Sequence, residues 1–510
     1  MSEPSTRVAP SKLGLVILSI VAVLGGLHAF SFLGAGPFDD DFIVHRYARM
    51  WVQGEGLAFN PGEHVEGFTV PLWLFLSAGV QLLGLDPVAA SQWVSIVAAG
   101  VASLFIGLAW RLHASPSAWP IPSFILACAP TFAWHGAAGL GTTALAACLA
   151  AWFYCWERNA RCGHGSRAAA VSLAAACFLR QECALFVLPY ALWEWRQGRR
   201  FSALPALLSL ASWTLFRWFY FGRWLPMTYA VKKLSIADDL SYGTRYLLDS
   251  TWECGLPLFL LVAVWGWRRG HMASRPGRPS PRNALLAALS LHTLYVVWVG
   301  GDFMPWSRFL MPTLPLVLYL ACVALQRALQ RLPMFALVLT LAAAALPQWL
   351  QFGWTIHGRP QRFGEHAFFE QRWQRLGECF HERFPRNARI ALAPIGAFGY
   401  SSELYITDIL GLTQAGLDSV APDMSILMKG HHRSDPDWVL LQKPDAMILG
   451  NGVLQPPSGE LVINPWERTL VQHPEFQRLY GAARMTIPKS GPLVFFLRRG
   501  SRLPEATIWL

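Results

Sequence analysis

The stretch LGLVILSIVAVLGGLHAFSFL, residues 13–33, runs without a charge almost directly into Phe38-Asp39-Asp40-Asp41-Phe42-Ile43-Val44-His45-Arg46-Tyr47-Ala48-Arg49. About 20 apolar residues, rising about 1.5 Å each, cross a hydrocarbon core of about 30 Å. A secretory signal has a shorter apolar region followed by a small-residue cleavage site. With Arg7 and Lys12 ahead of it, the segment reads as a retained first transmembrane helix. Three adjacent carboxylates are costly to bury and repel one another, so the chain leaves the bilayer at residue 39.

Outward from this point the apolar pattern recurs. Residues 71–85 are apolar but short, and Gly84 and Pro87 close them; they predict a helix lying in the interface. Full spans are expected at 88–110, 119–136, 140–157, 168–180, 183–196, 202–220, 254–268, 284–299, 308–326 and 333–350. With the first helix this makes about eleven. Arg180-Gln181-Glu182 interrupts the 168–195 run and predicts a hairpin turning there rather than one long helix.

Basic residues set the orientation. Arg111, then Arg158, Arg161 and Arg167, then Arg196, Arg199 and Arg200, then the cluster Arg268 to Arg282, then Arg327 and Arg331 fall in alternate loops. By the positive-inside rule these loops are cytoplasmic. The N-terminus is then inside and the tail outside. The net charge of +11 is thereby read as topology, and nucleic acid is not an expected partner. Charged residues are 14% of the chain and hydrophobic ones 54%, too little polarity to clothe a soluble globule. The 24 tryptophans suit a bilayer interface.

From about residue 353 charge and histidine increase. A helical stretch at 365–380 precedes the buried-strand patterns Arg389–Pro394, Asp445–Leu449 and Leu493–Leu497, which alternate or run apolar over four to six residues. Two domains are expected: 1–352 in the membrane, with a first outer loop at about 37–87, and a small α/β domain at 353–510. Most of the nine cysteines lie in apolar runs and read as small hydrophobes; no CxxC pair suggests zinc.

The aspartate triplet is the strongest chemical signal. Asp also favours helix N-termini, and that accounts for one carboxylate more readily than for three. A base at the membrane surface accounts for the remainder. The loop that follows, Gln53 to Thr69, is rich in Gly and contains Asn60-Pro61-Gly62, turn chemistry that makes a structured wall.

Asp39-Asp40, Phe42-Ile43, Arg46-Tyr47-Ala48, Gly54-x-Gly56-Leu57, Phe59-Asn60-Pro61-Gly62-Glu63 and Val65-Glu66-Gly67-Phe68-Thr69 together resemble the first outer loop of the GT-C membrane glycosyltransferases. Within that superfamily they are most similar to terminal arabinofuranosyltransferases and a related pilin arabinosyltransferase. Leu179-Arg180-Gln181-Glu182 resembles an Arg-Pro-Glu turn, with Gln181 in place of Pro. Phe221 to Lys232 resembles a Pro-Asn-Thr motif, with Met227 in place of Asn. Gly300 to Phe309, Asp408 to Thr413, and Gly430-His431 match as well. All these segments fall on the outer side of a topology that basic loops, not motifs, set.

The resemblance implies a polytopic GT-C fold with a C-terminal extracytoplasmic domain, in a bacterial inner membrane, with the N-terminus cytoplasmic and the tail periplasmic. It implies a polyprenyl-phosphate sugar donor and a glycan, lipid or pilin-like protein acceptor. Asp39 or Asp40 would be the general base; Asp41 stands where the family has a small residue, so which carboxylate acts stays open. Arg180, Lys232, Lys233 and Arg308 are candidate partners of the donor phosphate, with snorkelling to lipid headgroups the alternative. Arg46, Glu66, Glu182, Asp302, Asp408 and His431 are candidate substrate contacts. Asp302 could equally pair with Arg308. No cofactor is required. A divalent metal, used by some members, has no ligand spacing to support it at Asp39–Asp41 or at His431, His432, Asp435 and Asp437. A mannosyl- or aminoarabinosyl-transferase on the same fold is the nearest alternative. A lipid-linked-sugar transporter should show repeated halves, and none is visible.

Overall fold

A computed structural model describes residues 12–115, 118–162, 165–270, 280–304, 306–329, 363–450, 461–488 and 491–509, save 502, 503 and 506. Its contacts divide the chain into two compact units. The first is Met1–Gly36, Ser91–Trp213 and Ala237–Phe363; the second is Pro37–Ala90, Thr214–Ile236 and Gly364–Leu510. The boundary expected from composition cuts the chain once, near 353. Contacts instead gather the first loop and the 214–236 segment with the tail.

The first unit is helical. Lys12–Phe30 and Pro87–His113 are each long and apolar enough to cross a membrane. Two bent pairs add up to two more if each is one span: Pro130–Ala137 with Thr142–Arg161, bent by 115°, and Ile236–Cys254 with Leu256–Arg268, bent by 93°. Small residues let the backbones approach: a Cβ on Gly100 would stand 2.8 Å from the Ala22 carbonyl oxygen, and one on Gly136 would stand 2.7 Å from the Ala29 Cβ. Polar side chains tie helix ends together, Thr143 Oγ1 donating to the Ser95 carbonyl (2.7 Å) and Gln92 Nε2 to that of Ala137 (2.9 Å).

The helices depart from the expected spans in identifiable ways. The run at 119–136 is two helices, Ile121–Cys128 and Pro130–Ala137, because Ala129 adopts an extended ψ of 108°. Pro130 has no N–H to continue the ladder and disfavours helical geometry in the residue before it. The expected break at Arg180 is present. Arg167–Leu179 stops at Arg180, which is extended (φ −148°, ψ 118°), and Ala184–Arg196 follows one turn later. The amphipathic Ile236–Cys254 helix was not expected. The span expected at 333–350 lies outside the described residues.

In the second unit six strands form one sheet: β1 Arg389–Leu392, β2 Tyr405–Asp408, β3 Ala446–Ile448, β4 Tyr480–Ile487, β5 Gly491–Arg498 and β6 Thr507–Trp509, in the order β2-β1-β3-β5-β4-β6. β1 is parallel to β2 and β3; β5 pairs antiparallel with β3 and β4, and β6 antiparallel with β4. Phe380 of the Phe363–Arg383 helix, and Phe384 just past its end, pack on Phe495 of β5. Val439, Leu470 and Phe476 pack with Met447 and Leu449 in a second cluster. The short Gly396–Ser402 helix connects β1 to β2. Two helices of the first loop, Asp39–Val52 and Pro71–Leu82, belong to this unit and join through Gln81 Nε2 donating to the His45 carbonyl (3.1 Å).

Candidate active site

The three aspartates are the first three residues of the Asp39–Val52 helix, and Phe38, in extended geometry, makes no side-chain cap bond. Carboxylates are favoured at that end by the helix dipole, but the structure gives the three different surroundings. Asp39 spends both oxygens on another helix, accepting from Gly396 N (2.8 Å) and Ala397 N (2.7 Å). Burial pushes its carboxyl up to about 7, against the pull of those two N–H groups. Gly396 is required here: a Cβ would overlap the Asp39 backbone carbonyl. Asp41 is fully buried. It faces His45 Nε2 at 3.1 Å and accepts from Trp73 Nε1 at 3.4 Å, while His45 Nδ1 lies 2.8 Å from Ser77 Oγ. Asp40, between them, is partly exposed, as is Asp39.

Lys232 closes the Met227–Lys232 helix, and Lys233 follows in extended geometry. The segment beginning at Gly430 wraps this end. Gly430 has φ +88°, and a Cβ on it would touch Lys232 at 3.2 Å. Arg433 donates to the carbonyls of Lys233 (2.8 Å) and Val231 (3.2 Å). His431 thus comes beside Lys232, with its ring 4.6 Å from that of Trp466. Burial, then the Lys232 charge, lower its imidazole to about 4, and Asp40 pulls the other way. Asp40, Lys232 and His431 therefore share one electrostatic neighbourhood, assembled from three of the sequence-derived motifs.

Other expected substrate contacts are committed internally. Arg46 is buried and donates from Nε to the Phe59 carbonyl (2.7 Å), from Nη2 to the Leu404 carbonyl (2.6 Å) and Asn60 Oδ1 (3.2 Å), and from Nη1 to the Gly399 carbonyl. It ties the loop to the tail. Glu66 forms a buried two-point ion pair with Arg217, one arm of it Nη2 to Oε1 at 3.1 Å. The Glu66 carbonyl also accepts from Met227 N (3.0 Å), seating the helix that carries Lys232. Asp408 accepts from Leu410 N, Thr413 N and Thr413 Oγ1 at 2.9–3.1 Å. Burial raises its carboxyl, opposed by those bonds. It shapes its own loop, which lies against Gly67.

The first unit holds a separate group. The guanidinium carbons of Arg180 and Arg308 lie 5.6 and 5.5 Å from the centre of the same Phe309 ring, a cation–π arrangement. Arg308 Nε donates to Asp302 Oδ2 at 2.6 Å, and Arg180 Nε lies 3.5 Å from Glu182 Oε1. The pairing of Asp302 with Arg308 is thus present.

Sequence reasoning missed Arg217, hidden in the otherwise apolar Leu204–Phe221 helix. It also missed Glu253, whose Oε2 accepts from Ser307 Oγ (2.8 Å) beside Arg308. Glu370 was missed too, though a carboxyl on the apolar stripe of its helix was a signal. Among the described residues no three His, Cys, Asp or Glu side chains converge as a metal-holding group.

A partly exposed carboxylate, a lysine and a neutral imidazole in one neighbourhood can accept a proton, counter an anion and hydrogen-bond a polar substrate. Residues 365–487 match a family described as a domain of unknown function, DUF8728. The chain is 29% identical over 356 residues, 60% of its length, to a terminal beta-(1->2)-arabinofuranosyltransferase of Corynebacterium glutamicum; it spans about half the length of that relative. Among solved structures it is similar to apo ArnT from Cupriavidus metallidurans, with a TM-score of 0.51 and 11% identity over 95% of this chain and 98% of that one. ArnT from the same organism bound to undecaprenyl phosphate aligns at a TM-score of 0.49 and 12% identity, over 78% of this chain and 86% of that one. The chain has a mostly helical, ArnT-like fold with a small C-terminal sheet and helices long and apolar enough to cross a membrane, and over 60% of its length it is similar in sequence to a terminal arabinofuranosyltransferase.

Proposed function

We propose that this protein is a glycosyltransferase that moves a sugar, arabinofuranose by preference, from a polyprenyl-phosphate carrier to an acceptor hydroxyl at the outer membrane face. The observation that carries the reading is the packing of Lys232 against Gly430, which sets His431 beside it, with Asp40 acting on His431 electrostatically. Support comes from the ArnT-like fold and from the arabinofuranosyltransferase relative.

Asp40 takes the acceptor hydroxyl proton as its oxygen attacks the anomeric carbon. The bond from that carbon to the phosphate oxygen breaks, and polyprenyl phosphate leaves as an anion. Lys232 stabilises the charge that develops on it. His431, held neutral, hydrogen-bonds substrate hydroxyls without adding positive charge. Asp39 and Asp41 fix the turn that aims Asp40. Arg180, Arg308 and Lys233 are further candidates for the phosphate. One displacement inverts the anomeric configuration. The acceptor, glycan, lipid or pilin-like protein, is exposed to the periplasm in the arrangement proposed, with about eleven spans and a cytoplasmic N-terminus.

The test is donor discrimination by the purified full chain in liposomes. Transfer from polyprenyl-phosphate arabinofuranose supports the reading. Transfer only from a mannose or aminoarabinose donor would keep the reaction and replace the sugar. Movement of intact lipid-linked sugar across the bilayer without transfer would overturn it.

A further inference from the structure

Trp306 and Ser307 both have left-handed backbones, with φ of 64° and 55°. Among the described residues no other two neighbouring non-glycine residues do. A Cβ resists that geometry, and a bulky side chain resists it most, so it persists only where surrounding contacts impose it. The next residue is Arg308, so this turn decides where the Arg308 side chain is delivered.

One face of the Ile236–Cys254 helix supplies two of the contacts. Glu253 Oε2 accepts from Ser307 Oγ (2.8 Å), and Ser307 is fully buried. Two turns earlier, Tyr246 Oη accepts from Phe309 N (3.0 Å). A spacing of seven puts both side chains on the same face. The helix therefore grips the chain on both sides of Arg308. It also presses on the segment that leads into the turn. A Cβ on Gly243 would overlap the Val297 carbonyl, and one on Gly301 would stand 2.5 Å from the Tyr246 Cβ. Leu248 and Trp252 of the same helix are exposed, so the helix turns polar groups towards the Arg308 segment and apolar ones away from the protein.

The remaining contacts hold neighbouring atoms. The Trp306 carbonyl accepts from His135 Nε2 (2.9 Å), and Asp302 Oδ2 accepts from Arg308 Nε (2.6 Å). The Ser307 carbonyl accepts from Leu310 N (2.9 Å) and Met311 N (3.0 Å). Glu253 is the group that holds the Ser307 hydroxyl.

We propose that Glu253 is a positioning residue for Arg308: by holding the Ser307 hydroxyl it keeps the Trp306-Ser307 turn left-handed, and so keeps the Arg308 guanidinium beside the Phe309 ring that it shares with Arg180. The binding consequence rests on the reading of Arg308 as a partner of the lipid phosphate; the consequence for the turn does not.

The experiment uses the full-length protein in detergent, with undecaprenyl phosphate as the probe. Its affinity is measured for wild type, Glu253→Ala, Glu253→Gln, Arg308→Ala and the Glu253→Ala, Arg308→Ala double variant. Amide hydrogen exchange across residues 303–311 is followed in the same proteins. Glu253→Ala is expected to weaken binding about tenfold and to speed exchange in that segment. Gln keeps an oxygen that accepts from Ser307 and is expected to recover most of both. In the Arg308→Ala background the Glu253→Ala change is expected to cost no further affinity, because the two act as one unit. Wild-type exchange in Glu253→Ala, a Gln variant as impaired as Ala, or the same tenfold loss in both backgrounds would each overturn the proposal. Should Glu253→Ala fail to fold, Ser307→Ala removes the same bond from the other side, and a folded Ser307→Ala protein that binds and exchanges like wild type would overturn it equally. If Arg308→Ala binds undecaprenyl phosphate as wild type does, the phosphate reading of Arg308 fails, and the exchange series still decides whether Glu253 holds the turn.

Discussion

The Lys232 side chain lies along the backbone of Gly430, so close that a Cβ at position 430 would stand 3.2 Å from its Cγ and Cε. That contact brings His431 beside the proposed phosphate partner. Gly430 also has φ +88°, which side chains resist. Gly430→Ala is therefore expected to displace Lys232, raising KM for the lipid donor at least about fivefold with a smaller change in kcat. Equal KM in the two proteins would show that this contact does not position the lysine.

Lys232 itself is expected to matter for the leaving phosphate. Lys232→Ala should lower kcat by about 100-fold, and Lys232→Arg should recover part of it. Steady-state transfer assays decide. Unchanged kcat in the Ala variant would move the phosphate role to another cation.

The Glu66–Arg217 pair is a structural prediction. Both side chains are nearly fully buried, and removing one partner leaves an uncompensated charge. Arg217→Ala is expected to cost about 3–5 kcal/mol, whereas a Glu66→Gln, Arg217→Met double variant should recover much of that. Denaturant unfolding of the wild type and the two variants measures it.

His431 gives a pH signature. Its imidazole is lowered to about 4, below the usual value near 6.5. The unfolded chain thus binds its proton first on acidification. Stability is lost as pH falls from about 6.5 towards 4 and is unaffected above. His431→Gln is expected to flatten the unfolding-temperature curve in that window only. A change confined to pH 7–9 would contradict the neutral assignment.

The legible parts of the sequence were those that stood on local pattern. The first helix, the break at Arg180 and the β1, β3 and β5 strands are runs of strong apolar character or sharp interruptions of it. β2, Tyr405-Ile406-Thr407-Asp408, holds one aliphatic residue and ends on a carboxylate, so no apolar run marks it. β4 begins Tyr480-Gly481-Ala482-Ala483, small residues of weak strand preference. The Ile236–Cys254 helix carries Asp238, Asp239, Arg245, Asp249 and Glu253, so a search for apolar spans passes over it. The break before Pro130 was written in the sequence, but overall hydropathy masked it. At the site, the motifs singled out Asp39, Asp40, Lys232 and His431, and of these Asp40 and Lys232 act electrostatically on His431. What each carboxylate touches depends on Gly396, Ala397 and Trp73, from segments far away in the chain, and no local reading supplies those contacts. Arg46, Glu66 and Asp408 were motif residues for the same reason that core residues are: they hold the loops in place.

In the proposed reaction Asp40 alone of the three aspartates takes the acceptor proton. The direct measurement is single-turnover transfer from a synthetic polyprenyl-phosphate arabinofuranose by wild type, Asp39→Asn, Asp40→Asn and Asp41→Asn, each checked for its unfolding temperature. Asp40→Asn is expected to unfold like wild type but to transfer about 100- to 10,000-fold more slowly. Asp39→Asn and Asp41→Asn are expected to lose about 1–3 kcal/mol of stability and to keep transfer in the fraction that remains folded. An Asp40→Asn protein that transfers at the wild-type rate, beside a well-folded Asp39→Asn protein that does not, would contradict it.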